Sequence, residues 1–363
     1  GTGTYEDVAK QFKFPIAGGA SRYRMIATQA HNDYAQFIVE NGIVGFVFLL
    51  LLFIWILIKI VINRKRFDIF DLVLLASLIG ILIHALVDFS LRVPGVYTVL
   101  IVFISILLRE KNFEGHKKFG GEKNWTGLIF LVLLLFNIII SIEFIGVKFR
   151  IRGNELITKN NYESAQDKLF IATHFNHFDP EAHRMLGICY MELFFKDPSE
   201  SGYLNTLEEF GYALRYNKIS GLIPYNLAIF FQRIYFRKIQ AGHEALAERK
   251  QAIEFYKQAI RREPTLVLYR YQLAKFYFRI NQNKNALSEL ETAIEIEENY
   301  INAHLLKAIV LRNLGNEKAG KEAFDKALEI EKKYLGLDTL NTYDLQLLQV
   351  DEELGNYLRK PVE

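Results

Sequence analysis

The stretch from Gly42 to Ile62, "GIVGFVFLLLLFIWILIKIVI", constrains the chain more than any other, because Lys59 is its sole charged residue. About 20 apolar residues are what a helix needs to cross a bilayer, where every backbone group must be satisfied within the segment. Three further apolar segments follow, so residues 43–62, 69–87, 93–108 and 125–145 are four expected spans. The third opens on Pro94 and Gly95 and only just reaches across. From residue 150 onward apolar and charged residues alternate instead. A membrane part is thus followed by a soluble part, and the expected fold is all-α throughout.

Charge and cysteine usage exclude several function classes. A net charge of +3, dispersed over the soluble half, is too mild for a nucleic-acid footprint. The single cysteine, Cys189, excludes an internal disulfide framework or a cysteine zinc cluster and reads as a small apolar residue on a helix. The chain opens Gly1-Thr2-Gly3-Thr4, with no Met and no signal-peptide pattern, and is expected to be the C-terminal part of a longer protein.

Basic residues in short loops stay on the cytoplasmic side. Arg64, Lys65 and Arg66 follow the first span, and Arg109, Lys111, Lys117, Lys118 and Lys123 follow the third, whereas the turn between the second and third carries only Arg92. The expectation places residues 1–42, the turn from Asp88 to Pro94 and everything after Lys148 outside. Within the second apolar segment His84 and Asp88 are spaced to share a helical face. Ionisable residues at such depth are usually paired or functional; the alternative is solvation at the outer surface. Asn137 and Glu143 read as packing glue and as an interfacial residue.

The soluble half repeats itself. Ala252, Tyr256 and Ala259 recur 34 residues later as Ala286, Leu290 and Ala293, and again as Gly320, Phe324 and Ala327. Ala274 and Tyr277 map likewise onto Ala308 and Leu311. Small residues where helices cross, with a large one beside them at a 34-residue period, are the tetratricopeptide pattern. Earlier copies are looser: Ala165, Leu169 and Ala172, then Leu186, Gly187 and Tyr190, then Ala213 and Leu214. About five repeats are expected over residues 148–335, with residues 336–363 as a closing helix. Such an α-solenoid presents a concave surface to a protein or peptide. His174, His177 and His183 lack a carboxylate or cysteine at a ligand spacing. They read as surface histidines, and no metal is expected.

Residues 1–42 form the outer segment ahead of the first span. If 27–40 is helical, Asn32, Gln36 and Glu40 form one stripe, with His31, Tyr34 and Ile38 beside it. Asn41-Gly42 then reads as a stop before a separate membrane helix. On pattern alone this is an amphipathic helix at the bilayer surface. "AHNDYAQFIVENGIVG", however, strongly resembles the signature of the O-antigen ligase and polymerase family of membrane glycosyltransferases. "GTGTYEDV" looks like that family's entry into its outer loop, and "HALVDFSLRVPG" like a later membrane segment. Ala35 stands where the family more often has leucine, and the family's earlier helices, with their pyrophosphate-contacting basic residues, are absent from this sequence.

The resemblance implies transfer of a glycan from a polyprenyl pyrophosphate to an acceptor lipid, glycan or protein hydroxyl on the outer face of a bacterial inner membrane, as in lipopolysaccharide biosynthesis. It makes His31 the candidate base or acceptor-positioning residue, since histidine takes a proton near neutral pH. Arg22, Arg24 and Arg92 become candidates for the phosphate or glycan, and Asn32 and Gln36 candidate substrate contacts. No cofactor is implied. The rival expectation is a non-catalytic, membrane-anchored tetratricopeptide scaffold for envelope assembly.

Overall fold

The computed structural model describes residues 8–13, 15–16, 19–23, 30, 32–63, 67–88, 94–108, 143–334, 340, 342–351 and 354. All regular structure among them is helical, and the chain divides into two compact units. One comprises residues 1–9 and 26–136, the other 10–25 and 137–363.

The first unit is built from α1 (Asp33–Asn63), α2 (Ile69–His84) and α3 (Pro94–Leu107). Gly42, with φ 70° and ψ 179°, breaks the regular backbone within α1. That φ lies in the left-handed region, which glycine adopts without a Cβ penalty. The Asn41 side-chain amide meanwhile donates back to the Phe37 carbonyl. Asp68 starts α2 with a reciprocal box: its carboxylate accepts the Asp71 N–H while the Asp71 carboxylate accepts the Asp68 N–H. Ile60, Leu74, Leu78, Leu100 and Leu107 form a small shared core.

Only α1, over Asp33–Ile62, is both long and apolar enough to cross a membrane among the described residues. At ~1.5 Å per residue, α2 and α3 reach about 24 Å and 21 Å, short of the ~30 Å hydrocarbon core. The expected second span, 69–87, is therefore shortened: α2 ends at His84 and Ala85–Val87 form a turn, so His84 and Asp88 do not share one continuous helix. Most of the expected fourth span, both basic loops and Arg92 lie outside the described residues.

The second unit is a stack of five helix pairs. They are α4 (residues 143–158) with α5 (Tyr162–Phe175), α6 (Pro180–Lys196) with α7 (Glu200–Tyr216), α8 (Leu222–Gln240) with α9 (Leu246–Arg262), α10 (Val267–Arg279) with α11 (Asn283–Ile296), and α12 (Ile301–Asn313) with α13 (Glu317–Tyr334). Each second helix buries the same triad: Ala165, Leu169, Ala172; Thr206, Phe210, Ala213; Ala252, Tyr256, Ala259; Ala286, Leu290, Ala293. In the fifth pair Gly320 and Ala327 are buried while Phe324 is partly covered. The second triad opens on a threonine because its hydroxyl bonds back to the Gly202 carbonyl at 2.7 Å, so no polar group is left unpaired.

Why the facing position must be small is visible in the two loosest copies. A Cβ on Gly153 would sit 2.5 Å from Leu169, and one on Gly187 would sit 3.0 Å from the Phe210 ring. In four of the five pairs the turn between the two helices carries a left-handed residue two positions past the end of the first helix: Asn160, Gly242, Asn281 and Gly315. The described part of α4 starts at 143, ahead of the expected boundary at 148. The expected closing helix is short, α14 (Thr342–Leu348), and buries Asp344 and Leu347 against the stack.

Candidate functional site

In the first unit, Asn32 caps α1. Its Oδ1 accepts the Ala35 N–H at 2.9 Å, satisfying one of the donors that a helix start leaves open. The Asp33 N–H donates to the Ala85 carbonyl at 2.9 Å and the Tyr34 hydroxyl to that of Leu82 at 2.9 Å, so the start of α1 satisfies the end of α2. Gln36 is 2% exposed. Its Oε1 accepts the Ala30 N–H and its amide nitrogen donates to Glu40 at 3.0 Å. Of the stripe read from sequence, Gln36 and Glu40 are thus bonded to each other and buried, while Asn32 holds the helix end. His31 and Arg24 lie outside the described residues.

Arg22 belongs to the other unit. Its N–H and that of Tyr23 both donate to the Glu297 carboxylate, at 2.7 and 2.8 Å, and its guanidinium donates to the Glu295 carbonyl. The neighbouring backbone is held too: the Ser21 N–H donates to Asp344 at 2.7 Å, and the Asn299 amide donates to the Ala20 carbonyl at 2.9 Å. Four consecutive residues, 20–23, are therefore bound through their main chain, Ala20, Arg22 and Tyr23 at the turn joining the fourth and fifth helix pairs and Ser21 at α14. Arg22 meets the repeat unit, where sequence reasoning had it meeting phosphate.

The acceptor that does this recurs in the repeat. Glu263 occupies the equivalent turn one repeat earlier, and its carboxylate accepts the Gly221 N–H at 2.8 Å. Glu297 offers the same acceptor to a different stretch of chain. Burial pushes the Glu297 carboxyl up, while the Arg22 and Tyr23 N–H groups and the nearby Arg22 and Lys13 charges pull against it. Lys13 is shifted down, first by burial, with the Glu263 and Glu297 carboxylates opposing.

A second stretch lies along the first helices. The first helices of the fourth and fifth pairs pack on each other, as do those of the second and third. Asn302 on α12 donates its amide to the Gln349 carbonyl and accepts the Asp351 N–H on its Oδ1, both at 2.8 Å. From α10 the Tyr271 hydroxyl and the Lys275 ammonium reach the Asp351 carboxylate at 3.0 and 2.8 Å. None of Glu297, Asn299, Asn302, Tyr271 or Lys275 stands out in the sequence; the one available signal was the recurrence of Glu263 as Glu297.

Of the three expected surface histidines, His174 and His177 are exposed and His183 is not. His183 is 2% exposed, its Nδ1 2.6 Å from Glu209 and its Nε2 2.8 Å from the His177 carbonyl. Tyr212 and Tyr216 pack against its ring. Burial works to lower its pKa, but the Glu209 hydrogen bond and charge, the His177 carbonyl and Asp179 together outweigh it, and the net shift is upward. The Cys189 thiol, buried among apolar neighbours, is pushed up to about 12 and is unsuited to nucleophilic work.

With this geometry in hand, the class of the last two pairs is plain: residues 268–300 and 301–334 match the tetratricopeptide-repeat family model, and these are the fourth and fifth helix pairs of the solenoid. Similar solved structures include MamA, at 19% identity over 51% of this chain and 97% of that one, with a TM-score of 0.40. YrrB, described as a TPR protein with an unusual peptide-binding site, is 18% identical over 52% of this chain and 87% of its own, with a TM-score of 0.37. PilF of Pseudomonas aeruginosa is 14% identical over 57% and 82%, with a TM-score of 0.41. A search of the curated proteins gives no match.

Proposed function

We propose that the chain is a membrane-attached interaction module whose repeats hold extended segments of a protein or peptide partner on the outer side of a bacterial cytoplasmic membrane. The observation that carries this reading is that the repeat unit already holds two stretches of its own chain, 20–23 and 349–351, by side-chain bonds to their main chain. Such bonds recognise an extended backbone whatever its side chains, which is the chemistry of peptide capture. A photoreactive residue replacing Leu222, exposed at the start of α8, tests it in membranes of producing cells. The expected result is one discrete protein adduct that disappears in the Tyr271→Ala, Asn302→Ala double variant. No adduct, or one indifferent to that variant, would refute the interaction reading.

A second reading is kept because of the buried polar group at the mouth of α1. Asp33, Gln36 and Glu40 are all under a tenth exposed at the start of a helix suited to hydrocarbon, a placement that is expensive without a use. Joined to the "AHNDYAQ" resemblance, this supports glycan transfer from a polyprenyl-pyrophosphate carrier, with His31 as base and Arg92 as a phosphate or glycan contact. Removing a positioned general base costs ~10²–10⁴ in rate. In the full-length protein His31→Ala should keep expression and insertion while glycan accumulates on the carrier, and His31→Gln separates a base from a positioning group. Near-normal transfer by both variants would discard this reading.

A further inference from the structure

Helix α4 follows directly on an apolar stretch: residues 126–142 contain no Asp, Glu, Lys or Arg, and the helix is described from the next residue, Glu143. Its first turn carries Phe144, 64% exposed, and Ile145, and its first basic residue is Lys148. An apolar run, then an exposed aromatic, then a lysine is the order in which a helix passes from hydrocarbon to water. The turn from α5 to α6 is fixed at this same level. Gly146 lies so close to the end of α5 that a Cβ there would sit 3.3 Å from the Phe175 Cβ. The Phe149 and Phe175 rings stack at 6.3 Å, and the Arg150 guanidinium pairs with Asp179 at 2.9 Å. Between Phe175 and Asp179 stands Phe178, 73% exposed, and no other large apolar side chain described in the repeat unit is as open. Its ring is backed edge-on by His177 at 5.8 Å and Tyr216 at 5.4 Å.

We propose that the turn at 175–178, together with Phe144, seats in the boundary between headgroups and acyl chains of the bilayer, so that the first helix pair rests on the membrane surface. The inference rests on the membrane-attached reading and adds a lipid contact which that reading does not require. What selects lipid, over a protein partner or a second copy, is the position of the turn along α4. At ~1.5 Å per residue, the residues that hold it, 146–150, lie about 5–10 Å past Glu143, and the polar layer on each side of the hydrocarbon is ~5–8 Å deep. A phenylalanine side chain on this turn is therefore within reach of lipid. The surrounding chemistry fits that layer. Tyrosines at a membrane interface keep the ring on the apolar side and the hydroxyl in water, and Tyr212 and Tyr216 stand with His177 around Phe178. A helix leaving a bilayer alone is free to swivel about its axis; a second contact at Phe178 fixes which face of the first pair turns toward the membrane.

The experiment uses the full chain in nanodiscs of phosphatidylethanolamine and phosphatidylglycerol, with a nitroxide on an introduced cysteine. Electron paramagnetic resonance saturation is read with oxygen, which concentrates in lipid, and with a nickel chelate, which stays in water. Cys189 is fully buried and takes no label. Phe178→Cys replaces an exposed side chain, and Phe175→Cys is a second reporter in case the first disturbs the turn, with circular dichroism as the control on both. Phe144→Cys reports the membrane end of α4, and Lys159→Cys, exposed just past its other end and about 22 Å away, is the water reference. The expected result is that oxygen collisions exceed nickel collisions at 178, 175 and 144, with the reverse at 159. Nickel dominance at 178 and 175 beside oxygen dominance at 144 would overturn the inference and leave the membrane attachment standing. Nickel dominance at 144 as well would overturn both. A label at 178 shielded from both reagents would show that protein covers the turn, and would equally overturn the inference.

Discussion

The two units place their large apolar side chains in opposite ways. In α1 and α2, Val44, Leu51, Ile62, Phe70 and Val73 are all more than half exposed, although these helices are far more apolar than those of the solenoid. In the solenoid, Phe210, Tyr256, Phe276 and Leu290 are fully buried, and charged residues take the outer faces. Contiguous exposed apolar surface on this scale is not tolerated in water. It is the ordinary condition of a helix whose solvent is lipid. The same word, exposed, therefore carries contrary meanings in the two halves, and substitutions tell them apart.

The largest expected effect lies in the solenoid. Ala293 is fully buried in the triad of α11, facing the helices that pack on it. Ala293→Arg forces both volume and an unpaired charge into that contact and should cost about 3–5 kcal/mol. The full chain in detergent should then show a markedly lower midpoint for loss of helical ellipticity. An unchanged midpoint would mean that the repeats do not stack through this triad.

Next comes the converse test. Leu51 is 55% exposed, and in a water-facing helix Leu51→Arg would shift stability by only ~0.5 kcal/mol. Mid-span in a bilayer the same change costs ~2.5–3.5 kcal/mol of insertion free energy. A substantial fraction of the variant should therefore be extractable from membranes by alkaline carbonate, whereas the wild type stays in the pellet. Full retention of the variant would remove α1 from the membrane.

The sequence revealed the parts of the fold that local contact writes at a fixed spacing. Ala252, Tyr256 and Ala259 recur because each second helix packs on the same small residues of its partner, so the period survives even where single identities drift to Thr206 or Gly153. Boundaries set by distant segments were not legible. Helix α2 stops at His84 where apolar residues continue, and the carbonyls it leaves are taken by Asp33 and Tyr34 from another helix. The capture of residues 20–23 joins side chains about 275–320 positions away, and no spacing rule reaches that far. His183 read as a surface histidine because its burial comes from Tyr212 and Tyr216 on the next helix.

The smallest effect sharpens the contrast within the solenoid, between two buried histidines of opposite electrostatic sense. Both ring nitrogens of His183 face acceptors, Glu209 and the His177 carbonyl, which favours the imidazolium and raises its pKa in the folded chain. A group raised on folding contributes stability that is complete below its unfolded value near 6.5 and lost as pH climbs through the folded value. His304 is lowered, chiefly by burial, with its carbonyl partner Glu298 opposing. Its contribution is present above ~6.5 and lost as pH falls through the folded value. His183→Gln should therefore weaken the chain most at mildly acidic pH, by on the order of 1 kcal/mol, with the deficit shrinking toward pH 9. His304→Gln should flatten the curve from the other side, relieving destabilisation on acidification. Thermal midpoints of the two variants measured between pH 5 and 9 ought to cross relative to wild type. Parallel curves would mean that neither imidazole changes its proton affinity on folding, and that the Glu209 contact is held by packing alone.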